Sequence, residues 1–177
     1  MREFGQVVRV CGRVSCLLVI PALAAWATGR PFIFPSLGPS AFALAVREDQ
    51  ISARRIIGGH FVGICCGLLA YHLVASGLTF HLPRATWSAN DLRLAASGIL
   101  ALLLTTAGML TTRMRHAPSC ATTLIISLGL MPSLIDSAII MFGVLTLCGT
   151  DAVLCAVAAL HRGPHVSRAG KHTSGKN

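Results

Sequence analysis

Residues 31–46 read PFIFPSLGPSAFALAV, and residues 116–131 read HAPSCATTLIISLGLM. Both stretches are apolar, but they are too short and too interrupted for a simple spanning helix, which needs about 20 apolar residues. Each holds a Pro-Ser pair followed by a clean run of small and apolar side chains, Pro39-Ser40 in the first and Pro118-Ser119 in the second. Proline fits the first turn of a helix, where its missing N–H is no loss. The pattern therefore predicts, in each stretch, an irregular lead-in and a short helix that starts at the proline.

Longer apolar blocks flank both stretches: 14–28 and 56–80 around the first, 94–112 and 138–160 around the second. An amphipathic run from Val7 extends the first block, and Pro21 would kink it. Only 12% of the 177 residues are charged, against roughly 25% in soluble domains, and the mean hydropathy is +0.70. Lipid is the expected solvent. The length fits a single transmembrane domain over residues 1–161 and leaves no room for a large soluble module. Residues 162–177 read as a disordered, basic cytoplasmic tail. The first block also has the arginines, apolar core and small-residue site of a signal peptide. Its counterpart in the second half argues that it is retained.

That counterpart belongs to an internal repeat. A shift of 79 residues lays Pro39 on Pro118, Ser40 on Ser119 and Gly29 on Gly108. Long, broken-short, long is the order of elements in residues 7–80 and again in 88–160. If every segment crosses, the basic residues fall on one side except for Arg30, Arg84 and Arg93, a split that favours both termini in the cytoplasm. If the short segments only dip in and return, the split weakens. The expected fold is thus an all-α membrane protein of two inverted repeats, three helical segments each, the middle one short and proline-broken. The expected location is the bacterial plasma membrane.

Irregular backbone at membrane depth is tolerated only where protein buries it or water lines it, and paired broken segments point to a transporter's binding site. Helix N-termini carry free N–H donors and a partial positive charge. Gly38, Ser40 and Ala41 in one half, with Ser119 and Cys120 in the other, are therefore the expected anion site. Arg115 and His116, next to Arg113, would concentrate anions at its inner mouth or simply mark a cytoplasmic loop. Ionisable residues within spans are functional candidates, which makes Asp151, His72 and His60 the candidates for proton coupling. Asp151 and His72 coincide under the 79-residue shift. The competing use is hydrogen bonding to broken-helix backbone or, for His60, snorkelling to the membrane surface.

Other features carry less. The net charge of +9 reflects topology, and no nucleic acid is expected as a partner. The seven cysteines lie almost entirely in apolar stretches without C-x-x-C spacing, so they read as small apolar side chains. No metal or cofactor is expected. Gly58, Gly59, Gly63 and Gly67 would let helices approach closely, within the bundle or, as the lesser alternative, along the seam of a homo-oligomer.

The runs SLGPSA (36–41), IIGGH (56–60) and HAPSCATTL (116–124) resemble the HPP family of integral membrane proteins, named for a His-Pro-Pro motif. Here His116-Ala117-Pro118 keeps the histidine and the second proline. The resemblance implies a transporter, since some members move nitrite, and it makes a small anion the expected substrate with nitrite foremost. The family is usually described as having four spans, whereas the repeat argues for six crossings. A non-transporting structural or regulatory subunit is the alternative. A small membrane enzyme using His60, His72, His116 or Asp151 is less favoured, because such enzymes show a dense polar or metal-binding pattern.

Overall fold

The computed structural model describes residues 2–47, 52–80 and 88–161. The expectation for the 162–177 tail lies outside the described residues. Among the described residues six helices follow in order: α1 (Arg2–Thr28), α2 (Ile33–Val46), α3 (Ala53–Ala70), α4 (Ala89–Thr111), α5 (Ser119–Ser127) and α6 (Leu134–His161). One π-helical turn, Tyr71–Ala75, continues α3. Four helices, α3 counted with that turn, are long and apolar enough to cross a membrane. The other two are the short ones: α2 has 14 residues and α5 has 9, about 21 and 14 Å against a hydrocarbon core of about 30 Å.

Helix α4 displays the membrane logic of the fold. Its buried face carries Leu94, Ser97, Gly98, Ala101, Thr105 and Met109, while Ile99, Leu103 and Leu110 are exposed. Small and hydroxyl side chains thus face the bundle and large apolar ones face outward, as lipid requires. The larger apolar core joins Leu17 of α1, Ile33 and Leu37 of α2, and Ile140, Val144 and Leu147 of α6.

Contacts along the helices fix their directions. On α3, the positions of Gly59, Gly63 and Gly67 abut, in that order, Ser119, Thr123 and Ile126 of α5, so α3 and α5 run parallel. The pairs Thr105–Thr123 and Ser97–Ser127 make α4 antiparallel to α5, and Ser36–Thr122 and Ser40–His116 do the same for α2. At one end of the bundle Arg30, between α1 and α2, pairs with Asp136 at the start of α6. Towards the other end Arg13 of α1 and Arg47 after α2 both reach Cys155 of α6. The six helices therefore alternate in direction. Ser133 and Asp136 cap α6 reciprocally: the Asp136 N–H donates to Ser133 Oγ at 3.0 Å and the Ser133 N–H to Asp136 Oδ2 at 3.2 Å, a capping-box geometry.

Two expectations are corrected. First, α2 begins at Ile33 and not at Pro39. Pro35 occupies its first turn, and Pro39 lies in the interior, where it removes the bond to the Pro35 carbonyl without ending the helix. Second, a shift of 83 residues, and not 79, carries the end of α1 at Thr28 to the end of α4 at Thr111 and Pro35-Ser36 to Pro118-Ser119. Residues of positive φ follow the ends of the corresponding helices, Gly29 and Arg113 after α1 and α4, Arg47 and Gly129 after α2 and α5. Gly108, by contrast, lies inside α4.

Candidate functional site

Where α2, α3 and α5 meet, three hydroxyl side chains (Ser36, Ser40 and Thr122) and two imidazoles replace the apolar core. His60 is the eighth residue of α3, about 10 Å along the helix from its start, and is fully buried. His116 precedes the first turn of α5 and is 4% exposed. Glycine brings them together: a Cβ on Gly59 would lie 2.8 Å from His116 Cβ, and one on Gly63 would lie 2.8 Å from Thr123 Oγ1. Only a bare backbone lets α5 come this close to α3. The two imidazole rings end up tilted by 56°, their centroids 5.4 Å apart.

The hydroxyl of Ser40 bridges the pair, 3.0 Å from His60 Nε2 and 2.8 Å from His116 Nε2. On the far side of its ring, His60 Nδ1 lies 2.8 Å from Thr122 Oγ1, which lies 2.5 Å from Ser36 Oγ. These contacts form one unbroken chain, Ser36–Thr122–His60–Ser40–His116. A hydroxyl has one proton to donate, so Ser40 can give it to only one imidazole, and at least one of the two Nε2 atoms must carry hydrogen. Two polarities satisfy every member of the chain, one running from Ser36 to His116 and the other in reverse. A neighbouring group holds α5 in place. Thr123 donates to the Gly63 carbonyl at 3.2 Å, Thr105 lies 3.0 Å from Thr123, and Ser119 Oγ donates to the His116 carbonyl at 2.7 Å.

This arrangement differs from the expected pair of converging helix N-termini. Ser40 and Ala41 lie inside α2, where the helical ladder uses their N–H groups. At the start of α5 the N–H groups of Ser119 and Cys120 donate to the carbonyls of His116 and Ala117 at 3.1 and 3.0 Å. Because α2 and α5 run antiparallel, their N-termini point to opposite ends of the bundle. What converges is side chains: Ser40 and His116, expected at the anion site, meet His60, expected in proton coupling. Gly38 is half-buried on α2, and Arg115 is exposed in the connection before α5.

The remaining proton-coupling candidates lie elsewhere. Asp151 pairs with Arg13 across the α1–α6 seam and accepts from the Cys155 thiol at 3.7 Å. His72 is exposed on the π turn, edge-on to Tyr71 with ring centroids 5.3 Å apart. Sequence reasoning missed Ser36, Thr122, Thr123 and Thr105, all fully buried. The signal was present, because Ser36 and Ser40 are one turn apart, as are Ser119 and Thr123, and hydroxyls repeated on one helix face inside an apolar segment seek partners across a helix seam.

No curated protein and no solved structure matches the chain. The family model described as HPP, transmembrane region, matches residues 3–165, which hold the histidine cluster and the six helices but for the first residue of α1. A match over nearly the whole length, on a bundle whose outer faces are built for lipid, leads to one conclusion: the chain belongs to the HPP family of transmembrane proteins.

Proposed function

We propose that this protein is a carrier, not an enzyme, that moves a small inorganic anion across the membrane, with nitrite the leading candidate and Ser40, His60 and His116 as its central site. The observation that carries the proposal is the serine hydroxyl bridging two buried imidazoles in a cluster with no carboxylate among the described residues. A proton arriving on either imidazole would stand as an uncompensated buried charge, which is costly. A monovalent anion beside it removes that cost, so proton and anion favour each other's entry. The chain of hydroxyls and imidazoles also has two polarities, and passing a proton along it reverses one into the other. Both features fit anion movement coupled to protons, with no net charge carried.

The helix arrangement supports a reading as two inverted repeats. Under the 83-residue shift α1, α2 and α3 correspond to α4, α5 and α6, and each pair runs in opposite directions. Neighbours correspond as well: α1 packs on α2 and α6, and α4 on α5 and α3. Opening the site requires α2 to part from α3 and α5, since both bonds of Ser40 cross that seam. We further propose that both termini face the cytoplasm, as the arginine distribution favours.

The test is nitrite uptake into liposomes holding the purified full chain, driven by an acidic exterior. Uptake is expected from wild type and should fall about tenfold or more in S40A and in H116F, each losing a hydrogen bond of the kind worth about 1.5–3 kcal/mol when charge-assisted. The complete burial of Ser40 and His60 also suits a non-transporting subunit whose polar cluster only locks helices together. Absence of flux from well-folded wild-type protein would favour that second reading.

A further inference from the structure

The first turns of α1 are polar on one face: Gln6, Arg9, Arg13 and Cys16 recur at helical spacing. With Arg47 at the end of α2 and Leu154 of α6, this face lines a cavity of about 520 Å³. The arginines around it have donors to spare. Arg13 commits its terminal nitrogen to Asp151 and Cys155, but its Nε is buried with no hydrogen-bond partner. Arg47 donates to a thiol sulfur at 3.2 Å, a weak acceptor. Arg9 has no acceptor among the described residues. Among the described residues, the guanidinium groups of Arg9, Arg13 and Arg47 line this basin against the Asp151 carboxylate paired with Arg13, with Glu3 at the edge of the adjoining cavity, which leaves an excess of positive charge and of N–H groups there. Such a basin suits a ligand that only accepts hydrogen bonds, above all a phosphate, which guanidinium forks bind well.

A second cavity of about 460 Å³ continues from the first, sharing Gln6, Val10 and Val46, and is lined by Val7, Cys11 and Phe42, with Glu3 at its edge. Val7 and Phe42 are 57% and 54% exposed. A basic basin that opens sideways into an apolar trough, beside the arginine-bearing first turns of α1 and reaching to Phe42 on α2, has the form of a lipid headgroup and the start of its chain. Basic pockets between transmembrane helices hold anionic headgroups in this way.

We propose that the groove between α1 and α2 binds an anionic phospholipid, its phosphodiester among Arg9, Arg13 and Arg47 and an acyl chain along Val7, Cys11 and Phe42. The site is separate from the histidine cluster and does not depend on the transport reading. The test uses the full chain in detergent, titrated with phosphatidylglycerol and with phosphatidylcholine, with bound lipid counted by native mass spectrometry. Phosphatidylglycerol should bind in preference, and R9Q and R47Q should each weaken it about fivefold, at roughly 1 kcal/mol for each arginine near the membrane surface. Neither change touches the Arg13–Asp151 pair, so both variants should fold. Arg54 is exposed outside the groove, and R54Q should bind as wild type does. F42S should weaken phosphatidylglycerol through the trough while every arginine stays. Equal binding of the two lipids, or of phosphatidylglycerol to wild type and the R9Q/R47Q double variant, would overturn the site. Displacement of the lipid by inorganic phosphate at matching concentration would assign the basin to a free anion and overturn the lipid as its occupant.

Discussion

Ser40 is the residue on which the cluster turns, because one hydroxyl serves both imidazoles. Removing it orphans two buried ring nitrogens together, at a cost of about 1–3 kcal/mol for each unsatisfied group. S40A is therefore expected to lower the thermal midpoint of the detergent-solubilised protein, followed by tryptophan fluorescence. H60F should do the same, since it removes one partner each from Ser40 and Thr122 and cuts the chain between them. The two losses share partners, so the double variant should cost less than the sum of the single ones. Additive losses, or an S40A midpoint equal to wild type, would show that the bridge does not bind the helices. The residues of this cluster were half legible in the sequence. His60 stood out as an ionisable group in apolar surroundings, His116 as part of the basic run before the second short helix, and Ser40 as the residue after a proline. Their meeting was not legible, because it depends on how far two helices slide past each other, and periodicity does not encode that.

At the scale of the element, the same ambiguity explains the misplaced start of α2. The segment holds two Pro-Ser pairs, Pro35-Ser36 and Pro39-Ser40, four residues apart. Four residues is close to one turn of 3.6, so either choice puts serine on the same face and leaves the apolar pattern unchanged. Pro118-Ser119 matches both, and the shift of 79 differs from 83 by that single turn. The four long helices were legible because length and hydropathy alone determine them. The glycines of α3 were legible as a packing surface, and the structure adds what they pack against. G63A would bring a Cβ to 2.8 Å from Thr123 Oγ1 and 3.0 Å from the Ser119 carbonyl. Backbone cannot yield as a side-chain tip does, so the variant should lose about 1–3 kcal/mol by overpacking. Gly149 on α6 has nothing within 4 Å of the same added atom. G149A should stay within about 1 kcal/mol of wild type. Equal destabilisation of both variants in denaturant titrations would refute the close approach of α3 and α5.

For the whole molecule, the decisive quantity is the number of crossings, and the two short helices determine it. Hydropathy sees four spans, and a pair of re-entrant segments would be consistent with that number. The contacts argue differently. Helix α5 runs parallel to α3 along a line of glycines and antiparallel to α4 along a line of hydroxyls, and a segment that turned back on itself could not hold both registers. Neither α2 nor α5 spans about 30 Å of hydrocarbon alone, so in a six-crossing bundle the connections at their ends complete the passage, and Arg30–Asp136 ties one such end to α6. In a six-crossing bundle Ser52, ahead of α3, and Ser133, ahead of α6, lie on opposite sides of the membrane. In a four-crossing bundle with re-entrant α2 and α5 they share a side. Both residues are exposed, so single cysteines placed there in a cysteine-free background should react with a membrane-impermeant maleimide. Sealed vesicles of one orientation are expected to label one site and protect the other until they are opened by detergent. Labelling of both from the same side would remove the alternation of α2 and α5, and with it the basis for two opposed repeats sharing a site between them.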